Sequence, residues 1–512
     1  MTHARRDRPT IALGLDMADA SLIRHWARQG SLPHLASMMA AGAMLDLESP
    51  AEVLHTSAWP TFATGTMPGR HGVYYPYQPT PGRQFARRIE ADQYGASTFW
   101  RRVDQAGRRC LVYDIPETFP ESSFAGCGIF DWGTWAQYGH TAAQPASLLK
   151  AMRREFGPYP LGLEAMRLGF NNPGDIAHRL VRSLHYKAVT AEWLLRREPW
   201  DLAVIGFGET HPAGHYLWPA GARSIDTSDE AGFDRLLTVY TALDAAIGRL
   251  REAMSADVNW LVVSGDGVRA NHCGWHLLPG VLARLGFAAG GASPASTKPP
   301  AQTSLLGRLT ALVPKNAKDQ IAALLPHHIR NHLSLVAQAS ALNWSETRAF
   351  ALPTDLEGCI RVNLKGREPH GIVEPGAEYT DLCHELRDTL QQLENPVTGT
   401  PAVHRVWIRD EIFPGPRKEE LPDVIVTWNH DDAITALASS RIGRIDGASP
   451  DIRTGTHSTN GFLIAQASGI AAGVGSGRLV DVPATILTLA GVDAAAELDG
   501  TPLHLPHPAE SS

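Results

Sequence analysis

Six residues spread along the chain have side chains suited to holding metal ions or attacking phosphorus: Asp16, Thr56, His211, His215, Asp266 and His457. His211 and His215 stand in ETHPAGHYLW, where i,i+4 spacing puts two imidazoles on one helical face, the usual way a helix presents two metal ligands. Alone, the pair equally fits two partly exposed histidines on a loop. Asp16 closes the apolar run IALGLD, and Asp266 lies between Gly265 and Gly267 in VVSGDGV. A carboxylate so placed serves as a helix cap or turn residue as readily as a ligand. His457, in TGTHSTNG, reads by itself as a surface histidine. Thr56, in LHTSAWPTFATGTMPGRHGVYY, stands at a strand-to-helix turn, as either an N-cap or a nucleophile; Ser57 and Thr61 are the alternative hydroxyls.

Together, groups of these types suit phosphoryl-transfer chemistry, phosphodiester cleavage among it. Cleaving a phosphodiester near neutral pH needs an ionised nucleophile, neutralised phosphoryl oxygens and help for the leaving group, and two divalent ions about 4 Å apart supply all three. Oxygen and imidazole donors suit hard or borderline metals, and the chain offers both.

The order of the segments is more specific than any one of them. A strand-end carboxylate, a hydroxyl turn closed by TG-x-x-P-x-x-HG, a His-x3-His pair, a strand followed by Asp-Gly, and a Gly-x-His loop come in sequence. The closing stretch GRLVDVPATILTLAGVDAAAELDGTPL (477–503) has a helix leading into a DG turn. In this the chain resembles the alkaline phosphatase superfamily, and within it the type I phosphodiesterase/nucleotide pyrophosphatase branch, from about residue 9 to 505. The resemblance implies an α/β fold with an open, mostly parallel sheet sandwiched by helices and carrying cap insertions. It implies Thr56 as nucleophile, attacking phosphorus in line to form a phosphothreonine intermediate. It implies two divalent ions, one held by Asp16, Thr56 and Asp266, the other by His211, His215 and His457. Imidazoles favour zinc; an oxygen-rich second site would also accept manganese or magnesium. His71 and Gly72 would shape the end of the nucleophile segment, and Asn271, His272, Lys365 and Arg367 are weaker candidates for substrate contacts, although KGREPHG (365–371) also fits a solvated turn. Two positions depart from the family pattern: His211 stands where an Asp is common, and Gly265-Asp266 replaces an Asp-His pair. The second swap removes a ligand, leaving water, Glu209 or His272 to complete that site.

The elements that must position these groups follow from periodicity. IALGLD (11–16), CLVYDIP (110–116), DLAVIGFGE (201–209), NWLVVSGDG (259–267), DVIVTW (423–428) and GFLIAQ (461–466) read as buried strands, and 20–42 and 229–254 as helices with apolar stripes. Polar ends on apolar strands suit an open sheet that binds ligands beyond its carboxyl edge. We expect one large domain over 1–512 with a cap insertion at 76–190 and a helical insertion at 291–340, where a Pro-rich link precedes amphipathic segments. The aromatic-rich stretches 130–138 and 155–162 favour packing over ligand stacking.

Bulk properties narrow the class further. A composition of 44% hydrophobic and 19% charged residues is that of a globular protein, and a net charge of -7 argues against nucleic acid as partner. The expected partner is a small phosphorylated substrate. Five cysteines without a CxxC pair read as buried thiols in a reducing compartment. No apolar run reaches the roughly 18 residues of a membrane span, and no apolar leader follows MTHARRDRPT, so a cytoplasmic location without stable membrane insertion is the default. The leading function is a metal-dependent phosphodiester or nucleotide-type pyrophosphate hydrolase. The alternatives are a non-catalytic metal- or phospholigand-binding protein, or an enzyme acting on a phosphomonoester, phosphonate or sulfate ester. The sulfatase reading is weakened because HTSAWP lacks the arginine of a C/S-x-P-x-R setting.

Overall fold

The computed structural model describes residues 8–506 except 80, 83–85, 90–93, 122–123, 134–140, 162–172, 198, 224, 226–229, 256, 291–341 and 494–496. The chain divides into two compact units, Met1–Tyr74 with Glu90–Asn271 and Arg453–Ser512, and Tyr75–Ile89 with His272–Ile452.

The first unit is built on a nine-stranded sheet, in the order Gly473–Arg478, Ala43–Glu48, Gly461–Gln466, Asn259–Ser264, Thr10–Leu15, Leu202–Phe207, Cys110–Tyr113, Cys127–Phe130 and Ala142–Gln144. The five strands from Asn259–Ser264 through Cys127–Phe130 run parallel. Gly461–Gln466 is antiparallel to both its neighbours. The parallel strands are near-continuous apolar runs because both faces are covered. Along Thr10–Leu15, Ile11, Leu13 and Leu15 pack into one core and Ala12 into the other, the period-two alternation of a pleated strand. One face carries Ala20–Arg28, Pro33–Ala41, Pro173–Arg197 and Asp234–Ala253 through Leu22, Met38, Leu184 and Leu243. The other carries Ala58–Thr64, Phe99–Gln105 and Asp481–Leu489 through Phe62, Trp100 and Ile486. This is the helix-sandwiched, mostly parallel sheet that the sequence predicts.

The second unit has its own core, centred on Leu278, Val281, Ile360, Leu382, Leu386 and Val426. Two four-stranded sheets form it, one ordered Ala349–Ala351, Gly358–Val362, Val424–Trp428, Val403–Ile408, the other Thr400–Pro401, Glu394–Asn395, Ala436–Ser439, Gly443–Asp446. All their pairings are antiparallel.

Several expectations need correcting. The strand within DVIVTW belongs to this second unit and not to the parallel sheet; a fully buried strand reads the same in either setting. One domain with two insertions becomes two units, since the antiparallel strands bury their apolar residues on one another. The stretch 76–190, expected as a cap, supplies three strands of the main sheet and most of the helix Pro173–Arg197. The first of them lies in CLVYDIP, which the sequence reads as a strand; the other two, four and three residues long, are too short to show a period. The helix expected over 20–42 is two, parted by Gly30 at φ 81° and by Pro33. The insertion at 291–340 lies outside the described residues. Trp132 packs within 4.9–5.8 Å of the rings of Tyr113, Tyr159 and Tyr186, as a core aromatic. The five cysteines are free thiols, and among the described residues no helix is long and apolar enough to cross a membrane.

Candidate active site

Three neighbouring parallel strands end level with one another, with Gly14 opposite both Gly206 and Val263. Their carboxyl ends therefore deliver Asp16, the segment Gly208–Thr210 and Gly265-Asp266 to one sheet edge. Thr210 then clamps the next helix to the first strand by donating from Oγ1 to the Asp16 carbonyl at 2.6 Å. That helix, Thr210–Leu217, carries His211 and His215 one turn apart. The strand Gly267–Ala270 pairs antiparallel with Gly455–Ser458, Val268 opposite His457, and so brings the late histidine beside Asp266. Trp59 completes the edge, lying against Gly14, where a Cβ would sit 2.7 Å from the indole, and donating from Nε1 to Asp16 at 2.7 Å.

The side chains of His211, His215 and His457 converge, offering one ligand atom each within 4.8 Å of one another. In each ring Nδ1 faces an outer partner. His215 Nδ1 donates to the Gly455 carbonyl at 2.8 Å, His457 Nδ1 donates to Asp266, and His211 Nδ1 lies 3.3 Å from Asp16 Oδ2. A carbonyl or carboxylate at Nδ1 fixes the proton there and leaves the Nε2 lone pair directed at the centre. The Nε2 atoms of His211 and His215 accordingly meet at 2.9 Å, an arrangement that demands a proton or a cation between them. Burial first, then the neighbouring charges of His211, Arg453 and His457, hold the His215 ring far below its ordinary pKa and keep it neutral. A cation other than a proton is thus the better fit. Three imidazoles whose far nitrogens are held from outside match the donor set and support of a zinc-type site.

The carboxylate-rich position fits an ion less well. A Cβ on Gly265 would lie 2.9 Å from both Ala58 Cβ and Leu479 Cδ2, so apolar packing fills the place of the missing carboxylate. Asp16 and Asp266 each face a histidine Nδ1.

Thr56 lies in the turn His55–Ser57 that opens the helix Ala58–Thr64, and is 8% exposed. Its Oγ1 is 3.0 Å from His55 Nε2, and the His55 ring stacks on His457 at 4.5 Å between centroids. His55 thereby joins the hydroxyl to the histidine cluster. Sequence reasoning passed over it, although its place next to Thr56 was a usable signal. The alternative hydroxyls have other work. Ser57 donates to the Val73 carbonyl at 2.9 Å. The Val73 N–H donates to His71 Nδ1, which leaves His71 Nε2 to donate to Thr61 at 3.1 Å.

The weaker substrate candidates are engaged elsewhere. Asn271 Nδ2 donates to the Arg453 carbonyl, and His272 Nδ1 to that of His430. Lys365 is exposed and pairs with Glu374, while Arg367 is buried and grips Asp423 at 2.6 and 2.8 Å. Glu209, offered as a completing ligand, instead accepts from Tyr159 and Ser183 at 2.9 and 2.6 Å within a buried cluster. There Lys187 donates to Asp114 at 2.6 Å and lies 3.9 Å from Glu209. Burial pushes Asp114 up to about 7 against the pull of that ammonium.

Comparison with known proteins agrees with this architecture. Among curated proteins none matches the sequence. A murine ectonucleotide pyrophosphatase/phosphodiesterase 5 superposes with a TM-score of 0.50 over 95% of this chain and 96% of its own, at 11% identity. A phosphonoacetate hydrolase from Sinorhizobium meliloti 1021, solved with phosphonoacetate, superposes with a TM-score of 0.52 over 95% and 96%, at 13% identity. At such identities the likeness is one of fold. The sequence profile described as type I phosphodiesterase / nucleotide pyrophosphatase matches residues 10–279, a span that holds Asp16, Thr56, His211, His215 and Asp266. The chain belongs to that family, within the alkaline phosphatase superfamily.

Proposed function

We propose that the protein is a metal-dependent hydrolase that cleaves a phosphodiester or nucleotide-type pyrophosphate, with Thr56 as nucleophile. The observation that carries this reading is the chain of contacts from the three converging imidazoles through His55 to the Thr56 hydroxyl. His211, His215 and His457 would hold a divalent ion, zinc by donor type; manganese or magnesium is the choice only for an oxygen-liganded position. Such an ion, when bound, neutralises phosphoryl charge and acidifies water.

The remaining roles belong to the chain. The turn His55–Ser57 sets Thr56 Oγ1 ahead of the amides that open the next helix, where developing negative charge is favoured. His55 orients the hydroxyl for attack on phosphorus. The P–O bond to the leaving group breaks as the Thr56 O–P bond forms and the hydroxyl gives up its proton to water, leaving a phosphothreonine that still carries the second ester group. Water then cleaves the Thr56 O–P bond, releasing the phosphomonoester and the free hydroxyl. Asp16 and Asp266 orient the histidines, and Trp59 orients Asp16.

The test compares native protein and Thr56→Ala on a nitrophenyl phosphodiester, the matching monoester and phosphonoacetate. Diester turnover that is lost in the variant is the expected result. Equal rates in the two forms would remove Thr56 from the mechanism. Turnover of the monoester or phosphonate alone would move the substrate class. Metal binding without turnover of any of the three would favour a binding protein.

A further inference from the structure

We infer that this chain holds a single divalent ion, in the His211–His215–His457 pocket, with Asp16 and Asp266 acting as ring-orienting partners instead of ligands to a second ion. The inference rests on the reading above and departs from the paired ions that the sequence resemblance implies. Three observations carry it. First, the position that would donate a further carboxylate is Gly265, and Ala58 and Leu479 occupy the space a side chain would need. No side chain at that position could reach an ion without displacing two packed residues. Second, each carboxylate is turned to a histidine. Asp266 accepts from His457 Nδ1, and Asp16 lies against His211 Nδ1 while accepting from Trp59 Nε1. A carboxylate in that position raises the basicity of the imidazole and fixes its tautomer, the outer half of a histidine–metal site. Third, the side chains of His211, His215 and His457 offer one ligand atom each within 4.8 Å of one another, a complete protein donor set for one ion.

This arrangement changes what Thr56 depends on. With no ion between Asp16 and Asp266, the hydroxyl is positioned by His55, 3.0 Å away, whose ring is stacked on the ion-holding His457. His55 is thus a positioning residue, linking the nucleophile to the ion through the ring stack. The Asp-to-His exchange at His211 fits the same logic: a third neutral imidazole gives the pocket a nitrogen set able to bind zinc without help from a second site.

The experiment counts ions in the absence of substrate, so its outcome is separate from whether the chain hydrolyses anything. Metal-stripped protein is titrated with zinc by calorimetry, and bound metal is counted by mass spectrometry after gel filtration. Cobalt replaces zinc in a parallel sample for its visible spectrum. One ion per chain is expected, with the intense visible bands of a four-coordinate, nitrogen-rich site, and no ion in His215→Ala. Asp16→Asn should keep the one-to-one stoichiometry and weaken binding by roughly 10–100-fold, the usual cost of losing an outer partner. Gly265→Asp should lower the melting temperature and gain no second ion. Two ions per chain in the native protein would overturn the inference, as would loss of one of two on Asp16→Asn or a second ion in a folded Gly265→Asp. Should His215→Ala fail to fold, His211→Gln, which keeps side-chain bulk on a partly exposed helix face, reads the same loss. One ion with no hydrolysis sinks the function and leaves this inference standing; two ions with hydrolysis do the reverse.

Discussion

The histidine cluster of the first unit and the arginine network of the second are both buried and polar, yet they are built to opposite rules. In the second unit Asp423, fully buried, accepts from Arg367, Arg409, Tyr379 and the Val362 N–H at 2.6–2.9 Å. Arg367 and Arg361 in turn reach Glu368, and Arg409 reaches Glu419. Burial alone would raise the Asp423 carboxyl, but the Arg367 and Arg409 guanidiniums outweigh it and hold the group below the usual carboxylate range. Donors face acceptors throughout, so the network is neutralised from within. In the first unit imidazole lone pairs face each other at 2.9 Å, and every donor on those rings points outward. A buried network that satisfies itself holds a fold together; one whose acceptors converge is arranged around something that is not protein.

The contrast predicts that damage to the two regions will separate into different readouts. The largest effect belongs to the first. His215→Ala should lower diester hydrolysis by roughly 10³-fold or more, since the ion supplies most of the charge neutralisation, while the thermal melt changes far less. Asp423→Ala should do the opposite, destabilising the second unit by about 3–5 kcal/mol because two buried guanidiniums, those of Arg367 and Arg409, lose their shared partner, without altering the zinc count. Chemical denaturation and metal analysis of both variants check this pair. If His215→Ala melts as early as Asp423→Ala, the distinction between the regions fails.

Lys187→Met sharpens the comparison inside one unit. It leaves Asp114 and Glu209 buried without their ammonium, and a loss of about 3 kcal/mol is expected. Since Glu209 immediately precedes the helix bearing His211 and His215, a weaker affinity for zinc should accompany it. Lys187→Arg should recover little, because the cavity is closed around a point charge. His55→Gln is milder: a fall in kcat of roughly tenfold with KM nearly unchanged, the pattern of an orienting group. A fall confined to KM would place His55 in substrate binding instead.

The smallest effect is on the pH dependence of stability. His215 is held neutral in the folded chain, its pKa depressed below the ordinary value near 6.5. The unfolded chain therefore binds the proton more readily, so stability is at its full value above about 6.5 and declines as the pH falls below it. His215→Gln should flatten that decline in metal-stripped protein; an unchanged slope would show that the ring is not held neutral.

How much of this was legible in the sequence depended on whether a group's meaning is local. Asp16 at the end of an apolar strand, the i,i+4 histidines and the hydroxyl turn each carry their geometry in a few residues, and the structure brings them to one sheet edge. His457 lies 191 residues from Asp266, and only the order of segments pointed to their meeting. Arg367 went astray for the converse reason. A basic turn looks the same whether it awaits a phosphate or, as here, an aspartate 56 residues further on. Lys187 gave no signal at all, being a mid-helix lysine whose partners come from two other strands' ends. CLVYDIP read as a strand, but Cys127–Phe130 and Ala142–Gln144 are too short to show a period, so this part of the frame was taken for a cap.

The most direct test of the central claim is to trap the covalent intermediate. Zinc-loaded protein is mixed with a nitrophenyl phosphodiester, quenched in acid during turnover, digested, and its peptides weighed. A phosphoryl adduct on Thr56 that still carries the second ester group, absent from His215→Ala and from unreacted protein, is the predicted result. Steady turnover with Thr56 unmodified at every quench time, in a protein whose Thr56→Ala form turns over equally fast, would contradict the account.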